Sequence, residues 1–310
     1  MSSVLYDTPG PRAKRRNVIF AVVFAVLLVL MLWWVWQTMS DKGQLEGAKW
    51  SPFTEAQAWT TYLLPGLVNT LKAAALAMVI ALPLGAILGI ARLSDHRWVR
   101  VPAGVIVEFF RAIPVLLLMV FANQFYAESS QISSDERPLY AVVTGLVLYN
   151  ASVLAEIVRA GILSLPKGQT EAAQAIGLRK TQVMSSILLP QAVTVMLPAI
   201  VSQLVVIVKD TALGGAMLNF TELLNSRKTL AANYANVIPS FIVVAVIFIV
   251  LNFILTSLAS WLEDRLRRGK KSTGAVLPTA AVAGTAATGV DGGGVIGAPG
   301  VIGGDVGDKP

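Results

Sequence analysis

Residues 171–190 read Glu-Ala-Ala-Gln-Ala-Ile-Gly-Leu-Arg-Lys-Thr-Gln-Val-Met-Ser-Ser-Ile-Leu-Leu-Pro and lie between two strongly apolar segments. The Thr170 hydroxyl is expected to cap a short helix, with Glu171 in its first turn, where the helix dipole favours an acid. Ala172, Ala173 and Ala175 would form a smooth face able to seat in a groove of a partner. Gly177 stands where that helix must stop, because glycine tolerates the left-handed conformation of a tight ending. Arg179 and Lys180 follow, and a second helix is expected to lead through Ile187 to Leu189-Pro190. Pro190 suits the first turn of the next helix, where its missing N–H would be unpaired in any case. On physical grounds alone the same features describe an ordinary amphipathic cytoplasmic loop, and both readings stand at this point.

The rest of the chain places this stretch in a membrane protein. Of 310 residues, 55% are hydrophobic and 14% are charged, with a mean hydropathy of +0.66. A soluble domain carries about 25% charged residues, so long apolar runs must account for the difference. Cysteine is absent and His96 is the one histidine, which excludes disulfides, thiolate metal sites and a histidine-based nucleophile pair. No Gly-x-x-x-x-Gly-Lys-Ser/Thr phosphate loop occurs, so the chain is not expected to hydrolyse ATP. We expect no cofactor, no metal and no enzymatic activity. The net charge of +7 reads as membrane topology, with no nucleic-acid partner, because cytoplasmic loops collect Lys and Arg.

Apolar patterning predicts an all-α protein with six transmembrane helices, at about 18–38, 67–91, 101–126, 139–160, 190–209 and 238–261. The first is too long for a cleaved signal core, and Trp33, Trp34 and Trp36 form an aromatic belt at its end. The second is expected to break at Pro83 and carries Gly85 and Gly89 at a spacing that permits close helix packing. The stretch from Asp210 to Val237 is expected to hold a short helix or a re-entrant segment. With residues 1–17 inside, the inner segments hold Arg12, Lys14, Arg15, Arg16, Arg92, Arg97, Arg100, Arg159, Lys167, Arg179, Lys180, Arg265, Arg267, Arg268, Lys270 and Lys271. The outer ones hold Lys42, Lys49, Arg137, Arg227 and Lys228. Sixteen against five predicts that both termini, and the loop 161–189, are cytoplasmic. Residues 272–310, rich in Gly and Ala and without aromatics, read as a disordered tail.

Glu171, Ala172, Ala173, Gly177, Ile187, Leu189 and Pro190 together resemble the Glu-Ala-Ala loop of membrane permease subunits of bacterial ABC importers. The flanks extend the likeness. Ala155-Glu156-Ile157-Val158-Arg159-Ala160-Gly161-Ile162, Leu165-Pro166-Lys167-Gly168-Gln169, Phe110-Arg111-Ala112-Ile113-Pro114 and Lys209-Asp210-Thr211-Ala212-Leu213 resemble the polar amino-acid subgroup, with Ala212 where the subgroup usually has Ser. The similarity covers about residues 60–265 and is greatest to glutamate-type permeases. It implies a type I ABC importer permease fold in the bacterial plasma membrane. The implied partners are two copies of an ATPase subunit that dock on the cytoplasmic loops, a second permease (a related paralogue in preference to a second copy), an extracellular solute-binding protein, membrane lipid and an amino-acid substrate. Residues 18–38 would then be an added first helix that wraps the bundle and does not line the path.

Charged residues inside spans are costly and face a cavity or a partner. Glu108 and Arg111, and Glu156 and Arg159, are each three apart, which puts each pair on one helix face. Two readings stand: structural ion pairs near the cytoplasmic interface, or a path in which Glu156 meets the substrate ammonium and Arg111 its carboxylate. Asn69, Lys209 and Asp210 are further candidates for the path, the last two as an internal pair or a polar break in the fifth span. Lys72 is expected to reach the headgroups. An alternative function is a secondary amino-acid carrier driven by an ion gradient, although internal repeats are not evident and six spans are few for one chain.

Overall fold

The computed structural model describes residues 10–268, and every regular element among them is helical. The tail 272–310 and the first nine residues lie outside the described residues. Helix α1 (Pro11–Asp41) is apolar and buries no residue against the remainder of the chain. Short helical turns from Gly47 to Leu63 lead into α2 (Leu64–Ala91). Then come α3 (Arg97–Ala112), α4 (Val115–Ser129) and α5 (Arg137–Leu163). The loop after α5 contains α6 (Lys167–Ala175) and α7 (Lys180–Val183), and α8 (Leu189–Met217), α9 (Leu223–Tyr234) and α10 (Val237–Arg268) complete the described chain. Five helices are long and apolar enough to span a membrane, and the pair α3–α4 makes a sixth if counted as one bent span.

Helix α5 is the centre of the bundle, packed by α2, α4, α8 and α3. Its closest neighbour is α2, and two glycines set the distance. A Cβ on Gly85 would lie 2.6 Å from Leu154 Cβ and 2.8 Å from the Ala151 carbonyl oxygen; one on Gly89 would lie 2.6 Å from the Ala155 carbonyl oxygen. In lipid no hydrophobic force drives helices together, so close backbone approach through small residues supplies the packing. Ala73, Ala74 and Ala77 of α2 extend this contact to Met119, Val142, Leu146 and Ile207. One interhelical hydrogen bond, from the Gln203 amide to Asn150 Oδ1, adds α8 to the buried centre.

Three expectations are corrected. The third span is not one helix: α3 and α4 meet at 99°. Ile113 takes an extended conformation (φ −90°, ψ 128°) because the ring of Pro114 disfavours helix in the residue before it. Conversely, α2 runs unbroken through Pro83, since one lost hydrogen bond within a long membrane helix can be absorbed locally. The fifth span does not break at Lys209-Asp210; α8 continues to Met217. The stretch beyond it does hold a short helix, α9.

Candidate functional site

The loop between α5 and α8 is built as two short helices around a glycine stop. Helix α6 begins at Lys167, after the extended Pro166, and not at Thr170. Thr170 and Glu171 therefore sit mid-helix, and the expected Thr170 cap is absent because Pro166, with its fixed φ, already starts the turn. Nor do the three alanines share a face. Ala173 is buried among Val158, Ile162, Val183 and Leu188, whereas Ala172 and Ala175 are exposed. Adjacent residues on a helix point about 100° apart, so Ala172 and Ala173 cannot face the same way. The outward side of α6 carries Glu171, Ala172, Ala175 and the following Ile176, which is 79% exposed.

Gly177 ends α6 with φ +85°, and its N–H and that of Leu178 bond back to the carbonyls of Gln174 and Ala173. This is the left-handed ending that the sequence predicts. Helix α7 passes through a wider turn at Met184–Leu188 into α8. Ile187 and Leu189 pack against the same core as Ala173, and Pro190 lies at the start of α8. A cleft of about 370 Å³ separates α6 from the bundle, lined by Ile162, Leu165, Thr170, Glu171, Lys180 and Met184.

A cluster of charges lies where α2, α3 and α5 end beside this loop. Arg92 donates to Glu156 Oε2 at 2.6 Å and to Glu108 Oε1 at 3.2 Å, and its side chain is only 13% exposed. Arg159 also reaches Glu156, with Nη2 2.8 Å from Oε1, so the expected pair of Glu156 and Arg159 forms. The expected pair of Glu108 and Arg111 does not: Arg111 is directed to Glu156, Nη1 to Oε2 3.9 Å, and Glu108 is held by Arg92. Helical spacing allowed the pair, but Arg92 at the end of α2 competes for the carboxylate. Beyond Arg92, Lys180 pairs with Asp95 and donates to the Leu93 carbonyl oxygen at 3.0 Å. The Lys180 ammonium beside it holds the Asp95 carboxyl below the usual carboxylate range.

The candidates for the path are thus divided. Glu156 and Arg111 come together at the charge cluster. Asn69 lies at the other end of α2, where its amide donates to Thr221 O at 2.8 Å. Lys209 is exposed beside an apolar cleft between α8 and α10, lined by Phe241, Val244 and Phe248. Asp210 is half-buried, and no salt bridge joins it to Lys209 among the described residues. Sequence reasoning counted Arg92 and Lys180 only as topological charges. Their partners are 64 and 85 residues away, and no local spacing signals such contacts.

At the far end of α2 a second cluster fixes α9. The Glu222 carboxylate, fully buried, accepts from the N–H groups of Leu224 (2.7 Å) and Asn225 (2.7 Å) and caps the helix. The Thr70 hydroxyl accepts from Leu223 N at 3.1 Å, and Ser226 Oγ donates to Tyr62 O at 2.9 Å. Gly66 and Gly215 leave room for this arrangement: a Cβ on either would fall within 2.2 Å of Ser226 Oγ or Glu222 Oε1. Burial raises the Glu222 carboxyl to about 7, against the opposing effect of its two N–H donors and of Lys228 and Arg227.

Residues 81–268 match the family described as binding-protein-dependent transport system inner membrane component. The chain is 50% identical over 232 residues, covering 75% of it and 85% of the relative, to the glutamate transport system permease protein GluD of Corynebacterium glutamicum. It is 31% identical over 213 residues (68% of this chain, 96% of the relative) to the probable glutamine ABC transporter permease protein GlnP of Bacillus subtilis. Among solved structures, an amino acid ABC transporter crystallised with histidines superposes with a TM-score of 0.61 at 26% identity, over 67% of this chain and 95% of that one. The relatives are named as transport permeases and the family as binding-protein-dependent, which favours binding-protein-dependent import over a gradient-driven carrier. With its all-helical, multi-pass fold of the type I importers, the chain belongs to the inner membrane components of binding-protein-dependent transport systems, as a permease and not an enzyme.

Proposed function

We propose that the chain forms the translocation path for glutamate and couples it to a separate ATPase through the loop 161–189. The observation that carries this reading is the outward face of α6. Ala172, Ala175 and Ile176 stand free of the bundle, with the exposed Glu171 at the edge of the cleft, on a helix stopped by a left-handed glycine, which is a surface suited to a partner's groove. Glu171, Ala172 and Gly177 make or frame that contact; Ala173, Ile187, Leu189 and Pro190 anchor it to the bundle. The excess of Lys and Arg supports a cytoplasmic position for this loop and both termini. Residues 18–38 are an added helix outside the path, and the domain proper covers 60–265. The resemblance to glutamate-type permeases favours a heteromeric pair with a related permease, served by two ATPase copies and an extracellular binding protein.

In this mechanism ATP binding closes the two ATPases and moves α6. The bundle changes from inward-facing to outward-facing and takes substrate from the binding protein. Glu156, with Arg111 nearby, offers an anion for the substrate ammonium and a cation for its carboxylate; Asn69, Lys209 and Asp210 lie further along the path. Glutamate is the first choice because the 50% identical relative bears that name.

The test is ATPase activity of the chain co-purified in lipid with its candidate ATPase, second permease and binding protein, across a panel of amino acids. Stimulation by glutamate with its binding protein is the expected result. Failure to associate with any ATPase, with the loop intact, overturns the coupling role. A Gly177→Val variant, strained by about 1–2 kcal/mol at a positive φ although its side chain meets open space, should reach the membrane yet lose uptake.

A further inference from the structure

The loop between α2 and α3 touches both the coupling loop and the charge cluster, and it is only five residues long. At one end Arg92, nearly buried, donates to Glu156 of α5 at 2.6 Å. Three residues on, Asp95 pairs with Lys180 at the start of α7, and the Leu93 carbonyl oxygen accepts from the same ammonium at 3.0 Å. Lys180 follows Gly177 by three residues, so a displacement of α6 about its glycine stop reaches this contact across a short span of chain. The backbone between Arg92 and Asp95 is itself tied, since Leu93 N donates to Ile90 O at 2.9 Å and Ser94 N to Ala91 O at 3.1 Å. A loop stiffened in this way transmits displacement; a slack one would absorb it.

Resting on the coupling role proposed above, we infer that residues 92–95 act as a strut, in which Lys180 and Asp95 are positioning residues that carry movement of the coupling loop to Arg92 and hence to Glu156. The pair is exposed on both sides, 48% for Lys180 and 72% for Asp95. A surface pair of this kind adds little to stability, so its value lies in alignment. It also leaves the contact free to open and close at small cost, as a two-state element requires.

The experiment compares Asp95→Lys, Lys180→Asp and the double exchange in the full complex with ATPase, second permease and binding protein in proteoliposomes. The readout is amino acid taken up per ATP hydrolysed. That ratio does not move when a variant merely lowers the number of folded complexes, because both quantities scale together. Each single variant is expected to lower the ratio about threefold to tenfold, within the roughly twofold to thirtyfold span of residues that carry coupling. The exchange should restore roughly half of it or more, since the charge pair is rebuilt and the bond to Leu93 O is not. Single variants with the wild-type ratio, or an exchange no better than the singles, overturn the strut while leaving substrate-stimulated ATPase of the wild type intact. Absence of that stimulation in the wild type itself overturns the coupling role, and the strut with it.

Discussion

The two ends of α2 are held in opposite ways. At the Gly66–Thr70 end, α9 and the turn before it are fixed by neutral hydrogen bonds, one accepted by Thr70 and others donated by Asn69 and Ser226, and by a capping carboxylate that is fully buried. Two glycines bring backbone and side chains to within contact there. At the Arg92 end the contacts are ion pairs, and most of their members are partly exposed. Buried, interlocked contacts have one arrangement, because each lost bond leaves an unsatisfied group. Ion pairs at a wet surface exchange partners at little cost. The end beside the loop 161–189 is therefore the one able to rearrange, and the other end the one held fixed.

Breaking the interlocked end should have the largest effect. Gly66→Val would drive a side chain into Ser226 Oγ and to 3.1 Å from the Glu222 carbonyl oxygen, costing about 3 kcal/mol or more by overpacking and lost hydrogen bonds. Thermal unfolding in detergent should show a clear loss of melting temperature. Acidity separates the ends next. Glu222 has its folded value raised from 4.5 to about 7, so the protonated form favours the fold. Stability from this group is complete below about pH 4.5 and is lost as pH rises through about 7, by about 3 kcal/mol at most. A Glu222→Gln variant should remove that slope between pH 5 and 8; an unchanged slope would show that another group titrates. Asp95 has the opposite sign: its lowered value stabilises above pH 3.8 and fades as pH falls further.

Removal of Arg92 comes third. Arg92→Met leaves Glu156 with Arg159 and Arg111, so the loss is about 2 kcal/mol, typical of one charge-assisted hydrogen bond, by the same melting assay. The smallest stability effect is expected from Asp95→Asn, whose melting temperature should match the wild type, because the carboxylate is exposed. A large loss there would mean that the ion-paired end is as rigid as the other, and the contrast between the ends would fail.

Much of the site was legible because its determinants are local. The stop at Gly177 and the small-residue contact at Gly85 and Gly89 each depend on a residue type at a position, and each is found where the sequence put it. The start of α6 lies four residues before the expected one, since a Pro-led turn competes with a Thr cap and local chemistry does not rank them. The bend at Ile113-Pro114 had its cause in view, but the same proline chemistry left Pro83 inside a continuous helix. Whether a proline bends a membrane helix depends on what neighbouring helices can absorb.

By itself the sequence determined which segments are apolar enough to span, the Glu-Ala-Ala loop between two of them and the likeness to importer permeases, because hydropathy, turn chemistry and motif spacing are properties of neighbouring residues. Only the tertiary structure decided which charges meet. Arg92 takes Glu108 from Arg111 and binds Glu156, and Lys180 finds Asp95. Such pairings are set by where the ends of packed helices converge, across separations at which spacing along the chain carries no information.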